Sequence, residues 1–139
     1  MPDGGKYLRA ANVFVQRETA VDDQEFVCAV AVYVAGDSGY SPYYKEIGTR
    51  LGPFRLSMIP IGTYRPAWYF KPMHQDPAEA VQAHRDVGSA FSVGMHWGTF
   101  KLSDEPLAEP PLFLRKALKE KKIAEGSFIT LRFGETAVY

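Results

Sequence analysis

Among 139 residues there is one cysteine, Cys28, with no second thiol to pair with, so a disulfide framework is excluded and a reducing compartment is expected. Histidine is scarce as well: His74, His84 and His96 are the only imidazoles, and all lie in the second half of the chain. Net charge is absent, with 16 Lys and Arg against 16 Asp and Glu, so no overall field draws the chain to nucleic acid. No apolar run approaches the roughly 20 residues that a membrane-spanning helix requires, since the longest breaks at Gly36-Asp37. Met1 to Ala20 carries Asp3, Lys6, Arg9, Arg17 and Glu18 and no apolar core. A secretory signal is therefore not expected, a cytoplasmic location is, and any membrane contact would be peripheral. Internal repeats, low-complexity tracts, a glycine-rich phosphate loop and Cys-x-x-Cys are also missing.

What is present is a foldable chain, 46% hydrophobic and 14% aromatic, long enough for one domain with a modest core. Residues 1–25 lack clear periodicity and read as an irregular leader, apart from an apolar patch at Asn12 to Val15; residues 26–139 read as the folded part. Phe26 to Ala35 is a continuous run rich in β-branched residues, typical of a strand covered on both faces. Ser41-Pro42 predicts a helix start, with Ser as N-cap, an inner face of Tyr44, Ile47 and Leu51, and a stop at Gly52-Pro53. Arg55 to Ile61 reads as a second strand. Gly62 to Pro72 is a loop dense in aromatic and basic residues that would cover the sheet or line a lipid-binding groove, with covering favoured.

Asp76-Pro77-Ala78-Glu79 is a capping box and predicts a helix to about Val87, its inner face Ala80, Ala83 and Val87. Ala90 to Met95 follows as a third strand. A helix after the Pro-rich loop Glu105 to Pro111 turns Leu114, Ala117 and Leu118 inward and Lys119, Lys121 and Lys122 outward. Ile129, Leu131 and Phe133 alternate with polar residues as a half-exposed final strand. Strands and helices in alternation predict an α/β fold of helix layered on sheet.

Asp37 and His96 each follow an apolar strand directly, and carboxyl ends of buried strands are where side chains converge on a ligand. Taken singly, Asp37 also suits a structural turn and His96 a satisfied core residue. Their shared position relative to their strands makes them a candidate metal pair. His74 precedes a helix N-terminus, where the positive end of the dipole favours the neutral imidazole needed for ligation or base chemistry; loop packing suits it equally. His84, mid-helix, reads as a surface or boundary residue, and Cys28 as core filler.

A set of motifs in order then carries a resemblance. Ala35-Gly-Asp-Ser-Gly-Tyr40, Glu46-Ile-Gly, Gly52-Pro-Phe54, Ile59-Pro-Ile-Gly62, Tyr64, Pro66-x-Trp68, His74-x-Asp-Pro77-x-Glu-Ala80, His96-Trp-Gly-Thr-Phe100 and Glu109-Pro-Pro111 are similar to the carboxyl-terminal half of the N-acylphosphatidylethanolamine-hydrolysing phospholipase D family, a branch of the metallo-β-lactamase superfamily. The similarity runs from about Tyr33 to about Glu135. It implies half of an αβ/βα sandwich with two zinc ions between its sheets, acting on the phosphodiester of a membrane lipid to give an N-acylethanolamine and a phosphatidic acid. It further implies that Asp37 bridges the zincs, that His96 is a terminal zinc ligand, and that His74 lies at the active site.

The departure from the family pattern is equally plain. Its first zinc-binding motif, His-x-His-x-Asp-His, belongs to the preceding half, and no histidine lies upstream of Asp37 here. The expectation is therefore an incomplete domain: partial zinc occupancy, negligible hydrolysis by this chain alone, and an apolar face exposed or hidden by a homodimer or by a full-length subunit. A truncated product, a splice form or an incomplete gene model would explain it. The competing expectations are a non-catalytic lipid- or partner-binding fragment and another hydrolase of the superfamily. Gly36-Asp-Ser-Gly39 also resembles the nucleophile motif of trypsin-like serine proteases, but Tyr40-Ser41 stands where they have Gly-Pro, and every histidine lies downstream.

Overall fold

The structure is a computed structural model that describes residues 12–18 and 28–138, with side chains from residue 31 onward. Five strands form one sheet in sequence order: β1 (Asn12–Glu18), β2 (Cys28–Val34), β3 (Phe54–Pro60), β4 (Ser89–Met95) and β5 (Phe128–Thr130). β1 runs antiparallel to β2, whereas β2, β3, β4 and β5 are mutually parallel. Parallel neighbours need crossovers, and these are the helices α1 (Tyr43–Leu51), α3 (Pro77–Asp86) and α4 (Glu109–Glu120). A four-residue helix, α2 (Ala67–Phe70), lies in the aromatic loop after β3. The alternation expected of an α/β fold is present.

Helix α3 sits on β3 and β4, flanked by α1 and α4. Its start is fixed by the expected capping box: the Asp76 carboxylate accepts from the Glu79 amide at 2.8 Å, and Glu79 accepts from the Asp76 amide at 3.2 Å. Two unpaired amides of the first turn are thereby satisfied. Ala80, Ala83 and Val87 are buried as the spacing predicts, and small side chains let the helix lie close to the sheet. In α4, Leu114, Ala117 and Leu118 are buried, and Lys119 and Lys122 are exposed. Lys121 is half-buried, donating to the Gln82 side chain at 3.2 Å.

The sheet has one covered face. Tyr33, Ser57, Ser92 and Phe128 are register partners across β2 to β5, and all four are buried against the helices. Val34, Met58, Val93 and Ile129 are register partners on the opposite face, and each keeps solvent exposure although every one is apolar. The expectation that β2 is covered on both faces is corrected; the expectation of an open apolar face holds for these residues.

Other expectations change too. The supposedly irregular leader contains β1, paired with β2 from Asn12↔Val34 to Glu18↔Cys28. Long-range pairing with β2 overrides a local pattern only partly alternating. Residues 1–11 and 19–27, with the predicted start of the second run at Phe26, lie outside the described residues, as does the Cys28 side chain. Ser41 does not cap α1 through its side chain: Pro42 occupies the cap position, and the Ser41 carbonyl accepts from the Tyr44 amide. Leu51 is exposed, because α1 meets the core only through Tyr44 and Ile47. β5 ends at Thr130 and buries Phe128, leaving Phe133 outside the strand. His84 is 6% exposed, its Nδ1 2.8 Å from Ser92 Oγ and its ring tilted on Phe128, so it belongs to the helix–sheet interface. Trp68 and Tyr69 do not cover the sheet, being 83% and 54% exposed.

Candidate metal centre at the carboxyl ends of the strands

Three strand ends build the site. β2 is followed by Gly36 with φ of +64°, a left-handed conformation that glycine adopts without steric cost, and this turn presents Asp37. β4 is followed directly by His96, and β3, lying between them, leads into Gly62-Thr63. Gly62 is required by proximity: a Cβ there would lie 2.2 Å from the His96 carbonyl oxygen. The β3 and β4 ends can therefore close on one another.

Asp37 Oδ1 lies 3.2 Å from His96 Nε2, so the two sequence-predicted donors are brought together. The other ring nitrogen, His96 Nδ1, is 3.4 Å from Thr63 Oγ1. His96 and Thr63 both hold left-handed backbone, with φ of 58° and 63°. For non-glycine residues this costs on the order of 1–3 kcal/mol each and is retained where the surroundings over-determine it, most often at functional sites. His74 joins the same group: its ring centroid is 5.1 Å from that of His96. Its pKa is pushed below the ordinary 6.5 by burial first and by the neighbouring His96 second, against weaker opposing pulls from Asp37 and Glu105. The His74 Nδ1 is buried with no hydrogen-bond partner. A neutral imidazole with an unused nitrogen suits ligation or proton acceptance.

Glu105, which sequence reasoning did not single out, holds this arrangement. Its carboxylate, 5% exposed, accepts from the amides of Thr63 at 2.7 Å and Arg65 at 3.1 Å, and from Ser103 Oγ at 2.6 Å. Burial raises its pKa, but the Ser103 and backbone hydrogen bonds outweigh that and hold the carboxyl below its ordinary value. Thr63 is thus fixed from one side by Glu105 and reaches His96 on the other. No local pattern marks Glu105 or Thr63 in advance, because both act through a contact spanning about forty residues.

A cleft of about 410 Å³ opens beside His96, between Met95, Trp97, Leu107, Leu131 and Phe133. A smaller one of about 240 Å³ adjoins His74, with Arg65, Lys71 and Glu79 on its walls.

The donor set can be weighed against two zinc ions, each of which takes about three protein ligands in a catalytic site. Asp37 and His96 converge, His74 stands behind them, and His84 is engaged with Ser92. Among the described residues no group of three or more His, Cys, Asp or Glu side chains is placed to hold a metal ion. Two zincs do not fit this described set unaided. What the geometry holds is a carboxylate and an imidazole in contact at the carboxyl ends of their strands, with a second imidazole beside them.

Known proteins share this architecture. The chain is 40% identical over 106 residues to N-acyl-phosphatidylethanolamine-hydrolyzing phospholipase D 1 of Caenorhabditis elegans, a match covering 74% of this chain and 30% of that protein. It is 47% identical over 81 residues to an uncharacterized protein of Mycobacterium tuberculosis, covering 56% of this chain and 21% of that one. The chain thus spans less than a third of the length of either relative. Among solved structures, a metallo hydrolase from Ignicoccus hospitalis superposes with a TM-score of 0.57 at 20% identity, over 92% of this chain and 52% of that one. The metallo-beta-lactamase fold protein YhfI of Bacillus subtilis superposes with a TM-score of 0.53 at 14% identity, over 95% of this chain and 51% of that one, so the chain shares that fold. The beta-lactamase superfamily domain matches residues 24–97, more than half of the chain and the whole stretch from β2 through Asp37 and His74 to His96, and the chain belongs to that family.

Proposed function

We propose that Asp37, His96 and His74 form one wall of a zinc metallohydrolase centre that cleaves the phosphodiester of N-acylphosphatidylethanolamine, releasing an N-acylethanolamine and a phosphatidic acid. The observation that carries the reading is the convergence of Asp37 Oδ1 and His96 Nε2 to 3.2 Å at the ends of two parallel strands separated by a third. The printed activity of the Caenorhabditis elegans relative supplies the substrate class. In this reading zinc supplies Lewis acidity and a nucleophilic water at neutral pH. The chain's own contribution is positional. Glu105 fixes Thr63, Thr63 orients His96, and the half-buried His74, with its Nδ1 unpartnered, is available to accept a proton or a metal.

In this reading the remaining donors come from outside the described residues, from a second polypeptide or from sequence continuous with this one. The open face of the sheet supports a partner that completes the fold, either a full-length subunit or a second copy. Alone, the chain is a partial zinc binder with negligible turnover.

Reconstitution tests this. The 139-residue chain would be assayed for N-acylphosphatidylethanolamine hydrolysis with added zinc, alone and after co-expression with the amino-terminal portion of the Caenorhabditis elegans relative. Turnover is expected only in the co-expressed complex and is expected to vanish with Asp37→Asn or His96→Ala. Full turnover by the isolated chain, or a stable complex whose activity survives both substitutions, would refute the reading.

A further inference from the structure

The residue after Asp37 and the residue after His74 meet at one hydroxyl. Ser38 Oγ lies 2.7 Å from Tyr44 Oη, and the Gln75 side chain is hydrogen-bonded to the same phenol oxygen. Gln75 has no exposure, and its Nε2 also donates to the carbonyl of Pro60, the last residue of β3, at 3.2 Å. Tyr44 is 3% exposed and belongs to α1. One buried phenol thus joins the turn after β2, the end of β3 and the segment that enters α3.

The two donors themselves are weakly held. The Asp37 side chain is 66% exposed, so packing does not fix the carboxylate and its place follows from the turn that bears it. That turn is fixed at the next three residues. Ser38 is held by Tyr44, and Gly39 packs on the Lys71 and Pro72 backbone, where a Cβ would come 2.6 Å from the Lys71 carbonyl oxygen. Tyr40 stacks on Tyr44 at 5.9 Å and donates its hydroxyl to the Asp86 carboxylate at 2.5 Å. On the other side, His74 Nδ1 has no hydrogen-bond partner, so that nitrogen does not orient the ring and the fixed residue beside it, Gln75, must.

An exposed carboxylate and an unpartnered imidazole keep a common geometry only if the backbone under each is fixed relative to the other. A buried hydrogen-bond network achieves this, because breaking it leaves desolvated polar groups unpaired. We propose that Tyr44 is a positioning residue whose hydroxyl, through Ser38 and Gln75, sets Asp37 and His74 at a fixed separation beside His96. This rests on the reading that the three serve one site, but the arrangement can be measured without metal or substrate.

The experiment uses the isotope-labelled, metal-free 139-residue chain in solution NMR. The unsubstituted chain is expected to show a nuclear Overhauser contact between the His74 and His96 rings, 5.1 Å apart, and amides at 37–40 and 74–75 as rigid as those of α3. Tyr44→Phe removes one oxygen atom and is expected to lose the ring contact and loosen both segments together. Ser38→Ala is expected to loosen the Asp37 turn, and Ser38→Thr, which keeps the hydroxyl, to leave it rigid. Ile47→Val, buried on the same helix, is expected to lower the melting temperature while leaving contact and rigidity intact, which separates positioning from general support. In the co-expressed complex described above, Tyr44→Phe is expected to lower kcat at least about tenfold with little change in KM, since misplaced groups act on the chemical step. Should Tyr44→Phe fail to fold, the Ser38 pair carries the test. Absence of the ring contact in the unsubstituted chain, rigid segments in both Tyr44→Phe and Ser38→Ala, equal loosening in Ile47→Val, or Ser38→Thr behaving as Ser38→Ala would overturn the proposal. A complex without turnover would count against the proposed function and leave the spectra to decide the role of Tyr44.

Discussion

The two faces of the sheet invert the usual relation between polarity and burial. On the helix side the row Tyr33, Ser57, Ser92, Phe128 has serines at its two centre positions and is sealed from water. On the far side the row Val34, Met58, Val93, Ile129 is wholly apolar and half-open. The difference teaches that side-chain chemistry alone does not settle what is buried. Serines on the covered face occupy little space, so α3 can approach with Ala80 and Ala83, and Ser92 meets His84 with a hydrogen bond. The apolar face awaits a layer of its own, as parallel sheets are normally covered on both sides.

The contrast is most severely tested in the covered layer. Leu118→Ala removes a side chain with no exposure from α4 and leaves a cavity among residues held by three helices, so a loss of about 2–5 kcal/mol is expected in a urea melt. A loss below about 1 kcal/mol would mean that the helix layer is loosely packed and that the two faces are alike, since large-to-small changes in a tight core exceed that.

A smaller effect comes from the polar part of the covered face. Burial lowers the His84 pKa from its ordinary 6.5. Above 6.5 the ring is neutral both folded and unfolded, and pH does not matter to it. As pH falls through that value the unfolded chain takes up the proton first, so the unfolded state gains and stability declines until the folded pKa is reached. Melts on either side of 6.5 should show this slope, and His84→Gln should show less of it. An unchanged slope in the variant would assign the dependence to other groups and leave His84 indifferent to its burial.

Much of the architecture was legible in the sequence because local signals agreed with the tertiary result. The capping box at Asp76 and Glu79 predicted the entry of α3, the spacing of Leu114, Ala117 and Leu118 predicted the inner face of α4, and the equivalent positions of Asp37 and His96 after their strands predicted their approach. What was not legible depends on partners distant in sequence. Nothing local in residues 12–18 marks them as the antiparallel companion of β2. His84 reads as a boundary residue until β4 and β5 bring Ser92 and Phe128 beneath it. Glu105 lies in a Pro-rich loop that gives no sign of a buried carboxylate, and Trp68 and Tyr69 have the composition of a cover while projecting outward.

The smallest change in stability should come from the open face, where it is also the most informative. Met58 sits at the centre of the apolar row between Val34 and Val93, and it keeps enough exposure for a lysine to place its stem along its neighbours and its ammonium in water. Met58→Lys is therefore expected to shift folding stability by no more than about 0.5 kcal/mol, as for a surface position. A charge in mid-patch should nonetheless abolish binding of a hydrophobic dye and any self-association seen by sedimentation, because desolvating an unpaired ammonium opposes burial of the whole row. If Met58→Lys costs as much as Leu118→Ala, the far face is already covered in solution, and the asymmetry between the two sides of the sheet does not describe the folded chain.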